Sequence, residues 1–249
     1  MRRALLALLF ATALSPATAL AAEREERIQR LEESEREFSM GVASQRRGDW
    51  QAAESHYQRA LGLDEDFVEA RVNLARLHVD RGDTESALLM LARAQASRAD
   101  YPDAYVVRGL AELRAGRPLA AAEQLELALA LSPFDLEALV NLGAAWLEAG
   151  RPHEAKKPLE SALRVHPGSA EACLNLAIAE QRDGAQDRAA FWARRFLELA
   201  PPDDPSAAQL RDFTRIPGAE PAPGGDGSPD VGYGLKPEPT KPERRGNET

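Results

Sequence analysis

Apolar and polar positions recur along this chain with a helical period, in paired stretches separated by a lone glycine or proline. Residues 138–167, ALVNLGAAWLEAGRPHEAKKPLESALRVHP, show the unit. A striped helix is followed by a glycine turn, a second helix and a proline that cannot continue it. The pattern predicts helices over 34–47 and 50–63, 68–81 and 84–97, 102–115 and 118–131, 136–149 and 152–165, and 170–183 and 187–200. Pro118 and Pro152 stand at helix starts, where a missing N–H costs nothing. Ahead of these pairs, residues 23–37 are almost wholly charged, with Ile28 and Leu31 the only apolar members. Their acid–base spacing suits an exposed helix over 22–33 that extends the first pair. Behind them, residues 204–216 predict a last amphipathic helix with Asp204 as N-cap and Ala207, Leu210 and Phe213 on its apolar face.

The paired unit repeats at a fixed interval. Glycine falls at Gly48, Gly82, Gly116, Gly150 and Gly184, and alanine at Ala53, Ala87, Ala121, Ala155 and Ala189, always with the same step. A small residue keeps that step at Gly41, Ala75, Gly109, Gly143 and Ala177. Glycine closes the first helix in the left-handed conformation, and the small residues let two antiparallel helices approach. Neither helix of a pair can bury its apolar face alone, so stacked neighbours supply the core.

At these residues the chain resembles the tetratricopeptide repeat family. With Leu136 as the first position of one repeat, the family pattern is met by Gly143 at the eighth place, Gly150 at the fifteenth, Ala155 and Ala162 at the twentieth and twenty-seventh, and Pro167 at the thirty-second. The resemblance implies an all-α, right-handed superhelical solenoid of five repeats over 34–67, 68–101, 102–135, 136–169 and 170–203, closed by the capping helix. The early repeats depart from the pattern: Glu65 and Ala99 stand where proline belongs, and Val107 and Arg108 replace the usual Asn and Leu.

Composition adds a compartment. Arg2 and Arg3 precede an apolar run from Ala4 to Leu14, then Ser15-Pro16 and the small-residue segment Ala19-Leu20-Ala21. That three-part layout predicts a secretory signal peptide over 1–21, and hence an exported, periplasmic or extracellular chain. An uncleaved anchor over Ala4–Ala22 is the alternative, weakened by Thr12, Ser15, Pro16 and Thr18. The full chain carries a net charge of −9. Loss of residues 1–21 removes two arginines and no acid, leaving 29 basic and 40 acidic residues, a net −11. Such a charge disfavours nucleic acid and anionic membrane surfaces as partners. The sole cysteine, Cys173, cannot form an internal disulfide, and its place among apolar neighbours predicts burial. From Pro217 to Thr249 more than a third of the positions are Pro or Gly, which predicts a disordered tail with DVGYGL as its one apolar cluster.

No chemistry-bearing constellation emerges. His56, His78, His153 and His166 lack metal-ligand spacing, the glycines stand singly rather than in a phosphate loop, and no nucleophile has an evident base. The chain therefore reads as a non-enzyme without catalytic residues, metal or cofactor. In the family it resembles, the first helix of each pair lines a concave groove. Carried over by position, that groove would have acids at Glu35, Glu69, Asp103, Glu137 and Glu171, amides at Asn73, Asn141 and Asn175, and Arg76. Val79, Leu110, Leu113 and Leu147 would form its apolar middle, or pack between helices. The lysine and asparagine with which some family members clamp a chaperone's C-terminal carboxylate are missing, since those places hold Phe38 and Val42, Val72 and Arg76, or Val140 and Ala144. The expected role is a scaffold or assembly factor in the cell envelope that takes a peptide segment in this groove. A self-associating structural solenoid, pairing through its ends or its charged N-terminal helix, and a regulatory subunit of an envelope enzyme are the alternatives.

Overall fold

The computed structural model describes residues 16–201, 203–207 and 210. The chain forms two compact units that divide between Ala99 and Asp100. The first contains α1 (Pro16–Arg46), α2 (Trp50–Leu63), α3 (Val68–Asp80) and α4 (Thr84–Ser97). The second contains α5 (Pro102–Arg114), α6 (Pro118–Leu131), α7 (Leu136–Glu148), α8 (Pro152–Val165), α9 (Ala170–Arg182) and α10 (Gln186–Leu199). Within each unit consecutive helices pack on one another, and α5 touches α7 as α7 touches α9. These helices fall on the expected pairs, and apart from the start of α1 their ends lie at or next to the expected positions.

The charged stretch lies within a single helix, described over 31 residues, that runs on without a break into the first pair. Its described part runs from Pro16, within the segment read as the leader; residues 1–15 lie outside the described residues. Among the described residues no helix is long and apolar enough to cross a membrane.

The turns explain the periodic glycines. Gly48, Gly82, Gly116, Gly150 and Gly184 all have positive φ, from 70° to 85°. Each follows its helix, and its N–H and that of the next residue return to carbonyls of the last turn, as from Gly48 to Gln45 (2.9 Å) and from Asp49 to Ser44 (3.0 Å). The following helix starts in one of three ways, α10 having neither a capping side chain nor a proline at its start. Asp49 and Asp83 cap α2 and α4 with their side chains, whereas α6 and α8 open on Pro118 and Pro152.

Packing explains the small residues. Ala53, Tyr57, Leu74 and Leu77 form one core cluster of the first unit, with Phe38, Val42, Leu61 and Met90 against it. The Tyr57 ring lies over Gly41, and its hydroxyl donates to Gln45 Oε1 at 2.7 Å. In the second unit Leu125 and Leu159 occupy the space left by Gly109 and Gly143. Cys173 is fully buried in the core that Leu159, Leu163, Leu176, Trp192 and Phe196 build, as its neighbours predict, and burial pushes its thiol up to about 11.

Of the predicted capping helix, residues 205–207 and 210 are helical. Asp204 caps it through the Ser206 N–H at 2.8 Å, and Ala207 and Leu210 are buried against the same core. The remainder of that helix, Phe213 included, and the tail from 217 to 249 lie outside the described residues.

Candidate functional site

The first helices of the pairs carry the expected groove residues, and the two units present them separately. On α3, Asn73 and Arg76 stand one turn apart and half-buried. Asn73 is already engaged, its Nδ2 donating to the Tyr57 hydroxyl at 3.5 Å. Val79, one turn further on, is wholly buried and offers a partner no surface.

On the second unit, Leu110 and Leu113 of α5, Asn141 of α7 and Asn175 of α9 are half-buried. Because α5 meets α7 and α7 meets α9, these four lie along adjoining first helices. Leu147, expected beside them, is 5% exposed and belongs to the core with Leu159 and Leu163. Val79 and Leu147 are thus packing residues rather than groove residues. The physical reason is that first helices are clamped between two neighbours, so a wider arc of each is covered than one apolar stripe. The same covering buries Val72, Val106 and Val140 at the fifth places and Val107 at the sixth.

What is left open is a set of amides and partly exposed leucines. An amide both donates and accepts, which suits the backbone of a peptide, and the leucines offer apolar contact. The acids Glu35, Asp103, Glu137 and Glu171 are exposed, and Glu69 is half-buried and paired to Arg98 at 2.8 Å.

Two charged features escape a reading by repeat position. Glu112 and Glu180 occupy the same register place on α5 and α9, and both are buried. Glu112 meets Arg117 and, at 4.0 Å, Arg108. Glu180 Oε2 accepts from Lys156 at 2.8 Å, while Arg188 approaches Oε1 at 2.5 Å. Lys156 also meets Asp183 at 2.6 Å, so the network ties α8 to both ends of the α9–α10 turn. The signal available in the sequence was an acid recurring two repeats on, between a base before it and a base after it.

The outer side of α6 is likewise not given by repeat position. Leu119, Leu127 and Leu131 are exposed there, with Phe134 in the following turn 77% exposed. A second helix of this kind has one face to bury, and α6 is apolar on both. Among the described residues no group of three His, Cys, Asp or Glu side chains could hold a metal ion.

Two models of the tetratricopeptide repeat match the chain, one over residues 45–111 and the other over 106–155 and 140–204. No curated protein matches it. Among solved structures the chain is similar to Pseudomonas aeruginosa PilF, with 20% identity, 75% of this chain and 89% of that one covered, and a TM-score of 0.64. It is similar also to a thermophilic repeat protein of Thermus thermophilus (22% identity, 74% and 100% covered, TM-score 0.62). A third is YrrB, described as having an unusual peptide-binding site (19% identity, 80% and 98% covered, TM-score 0.57). At such identities the likeness is one of fold.

Proposed function

Because the chain belongs to the tetratricopeptide repeat family, we propose that it is an exported protein-interaction scaffold or assembly factor of the cell envelope, holding a partner's peptide segment on its first-helix face. The observation that carries this reading is the row Leu110, Leu113, Asn141 and Asn175, left part-exposed on three adjoining helices of one unit. A side chain needed only for packing would be buried there, as Val107 is. Peptide binding by this fold is supported by YrrB, whose description names such a site. The net negative charge favours a protein partner over nucleic acid. In this reading the chain binds and positions, is not an enzyme, and uses no cofactor.

Export is supported by the basic, apolar and small-residue order of positions 1–21. Intact mass of the chain recovered from an envelope fraction tests it: loss of residues 1–21 supports export, and an uncleaved chain in the cytosol overturns it. The binding face is tested by capture of partners from envelope extract, comparing the wild-type chain with a folded Leu110→Glu, Leu113→Glu variant. Undiminished capture by the variant would dispose of the groove.

Self-association is a second reading, favoured by the exposed leucines of α6 and by Phe134. A concentration-independent monomer in light scattering would exclude it.

A further inference from the structure

The N-terminal unit holds a recess apart from the groove positions of its first helices. Leu61 of α2, Leu74 of α3 and Met90 of α4 form its floor, resting on the unit's core, and Leu89 overhangs it, 62% exposed. Its volume is about 370 Å³, inside the span of about 300–1,000 Å³ usual for ligand clefts.

The recess exists because α4 carries, beside its core stripe, a second face with two apolar residues. Ala87, Leu91 and Ala94 turn inward and are fully buried. Ser86, Leu89, Met90 and Arg93 follow one another at the i, i+3, i+4, i+7 spacing of a second face, and all four line the recess. Packing of the pair needs only the first stripe. Three repeats later, the register places of Leu89 and Met90 hold Phe191 and Trp192. There the Trp192 ring is buried in the core, edge-on to Phe191 at 4.9 Å. The shorter side chains of α4 leave open what rings occupy in α10.

The rim carries charge of one sign in excess. Arg71 and Arg93 border the recess with Glu65. Arg71 donates to the Glu65 backbone carbonyl. Arg93 is exposed and makes no hydrogen bond or ion pair among the described residues. A basic, apolar recess on a chain of net charge −9 is suited to an acidic group attached to an apolar one.

We infer that this recess is a separate docking site for a peptide segment of a protein partner in which a bulky apolar side chain stands next to an acidic one. The apolar side chain lies on Leu61, Leu74 and Met90 beneath Leu89, and the carboxylate meets the guanidinium of Arg93, with Arg71 beside it. A doubly charged phosphate group fits less well, since Glu65 stands on the same rim.

The test uses the full chain and fluorescein-labelled, C-terminally amidated peptides of the sequence Gly-Leu-Phe-Asp-Ala-Gly, read by fluorescence anisotropy. Saturable binding is expected, weakened about tenfold when Asn replaces Asp and by a similar factor in the Arg93→Glu chain. Replacing Leu-Phe by Ala-Ala in the peptide, or Leu89→Lys in the chain, should weaken it too. Both chain substitutions fall on exposed positions, so helicity by circular dichroism should be unchanged. The Leu110→Glu, Leu113→Glu variant should bind these peptides as the wild type does, which separates this site from the first-helix face. No saturable binding, equal affinity for the Asp and Asn peptides, or indifference to Arg93→Glu would each overturn the inference. So would sedimentation with phosphatidylglycerol vesicles that Arg93→Glu abolishes, which would assign the recess to lipid.

Discussion

Gly109 of α5 lies so close to Leu125 of α6 that a β-carbon at the glycine would stand 2.6 Å from Leu125 Cγ. Alanine is the better helix former by about 1 kcal/mol, and that gain opposes an overpacking cost of about 1–3 kcal/mol. Leu125 is fully buried and cannot swing away. Overpacking therefore wins, and Gly109→Ala is expected to destabilise the chain by up to about 2 kcal/mol in urea unfolding. Shortening the partner should relieve it. In a Leu125→Val background the same substitution should cost at least about 0.5 kcal/mol less, the coupling expected of side chains in contact.

Two other glycines should answer the same substitution with opposite signs. Gly150 closes α7 at φ 72°, with nothing near its missing side chain. Alanine there is strained by backbone alone, by about 1–2 kcal/mol. Gly62 lies within α2, without positive φ and likewise with open space around it. Alanine there should stabilise by about 0.5–1 kcal/mol, since only the unfolded chain loses freedom. Thermal melts of Gly150→Ala and Gly62→Ala should move in opposite directions from the wild type. A fall in both would mean that Gly62 is held by something other than helix geometry.

The contrast shows what a repeat makes legible. Register was readable because a left-handed turn and a close helix approach each admit so few residue types that the step from Gly48 to Gly82 survives in plain view down the chain. The helix pairs followed from it. Depth was not readable, because the twelfth place buries Val79 and Leu147 yet leaves Leu113 half-exposed. An apolar residue on a first helix looks the same whether it faces a neighbour or a partner, and only the packed neighbours decide. The burial of Glu180 follows for a related reason from its neighbours: its charge is balanced by Lys156 on the helix before it and Arg188 on the helix after it. The recess on α4, by contrast, was written in the spacing of Ser86, Leu89, Met90 and Arg93, beside a core stripe that already accounted for the helix.

The Glu180 network should behave as a unit. The carboxylate is wholly buried between Lys156 and Arg188. Glu180→Ala removes the fully buried charge but leaves Lys156 with Asp183 at 2.6 Å and Arg188 partly exposed beside Glu160, so the expected loss is that of a charged hydrogen bond, about 1.5–3 kcal/mol in urea unfolding. Burial alone would pull Lys156 below its ordinary 10.5, but hydrogen bonds to Asp183 and Glu180 outweigh it and hold the ammonium above that value. A group raised in the folded chain stabilises fully below its unfolded value and loses that contribution as pH rises through the folded one. The wild type should therefore lose stability above about pH 10.5, and Lys156→Met should flatten that loss. Parallel alkaline curves for the two chains would remove Lys156 from the account.

At the other end of the chain the pH dependence should run the opposite way. Glu37 of α1 accepts from His56 Nδ1 at 2.7 Å and from Arg59 Nε at 2.8 Å, both on α2. These two hydrogen bonds, His56 first, hold its carboxyl below the ordinary 4.5. A carboxyl depressed in the folded chain contributes above its unfolded value and loses that contribution as pH falls through the folded one. The melting temperature of Glu37→Gln should thus lie below that of the wild type at pH 7, and the gap should close below about pH 4.5. Melting curves from pH 3 to 7 decide the matter. A gap that persists undiminished at pH 3 would mean that shape, not the ionised carboxylate, joins α1 to α2 at this point.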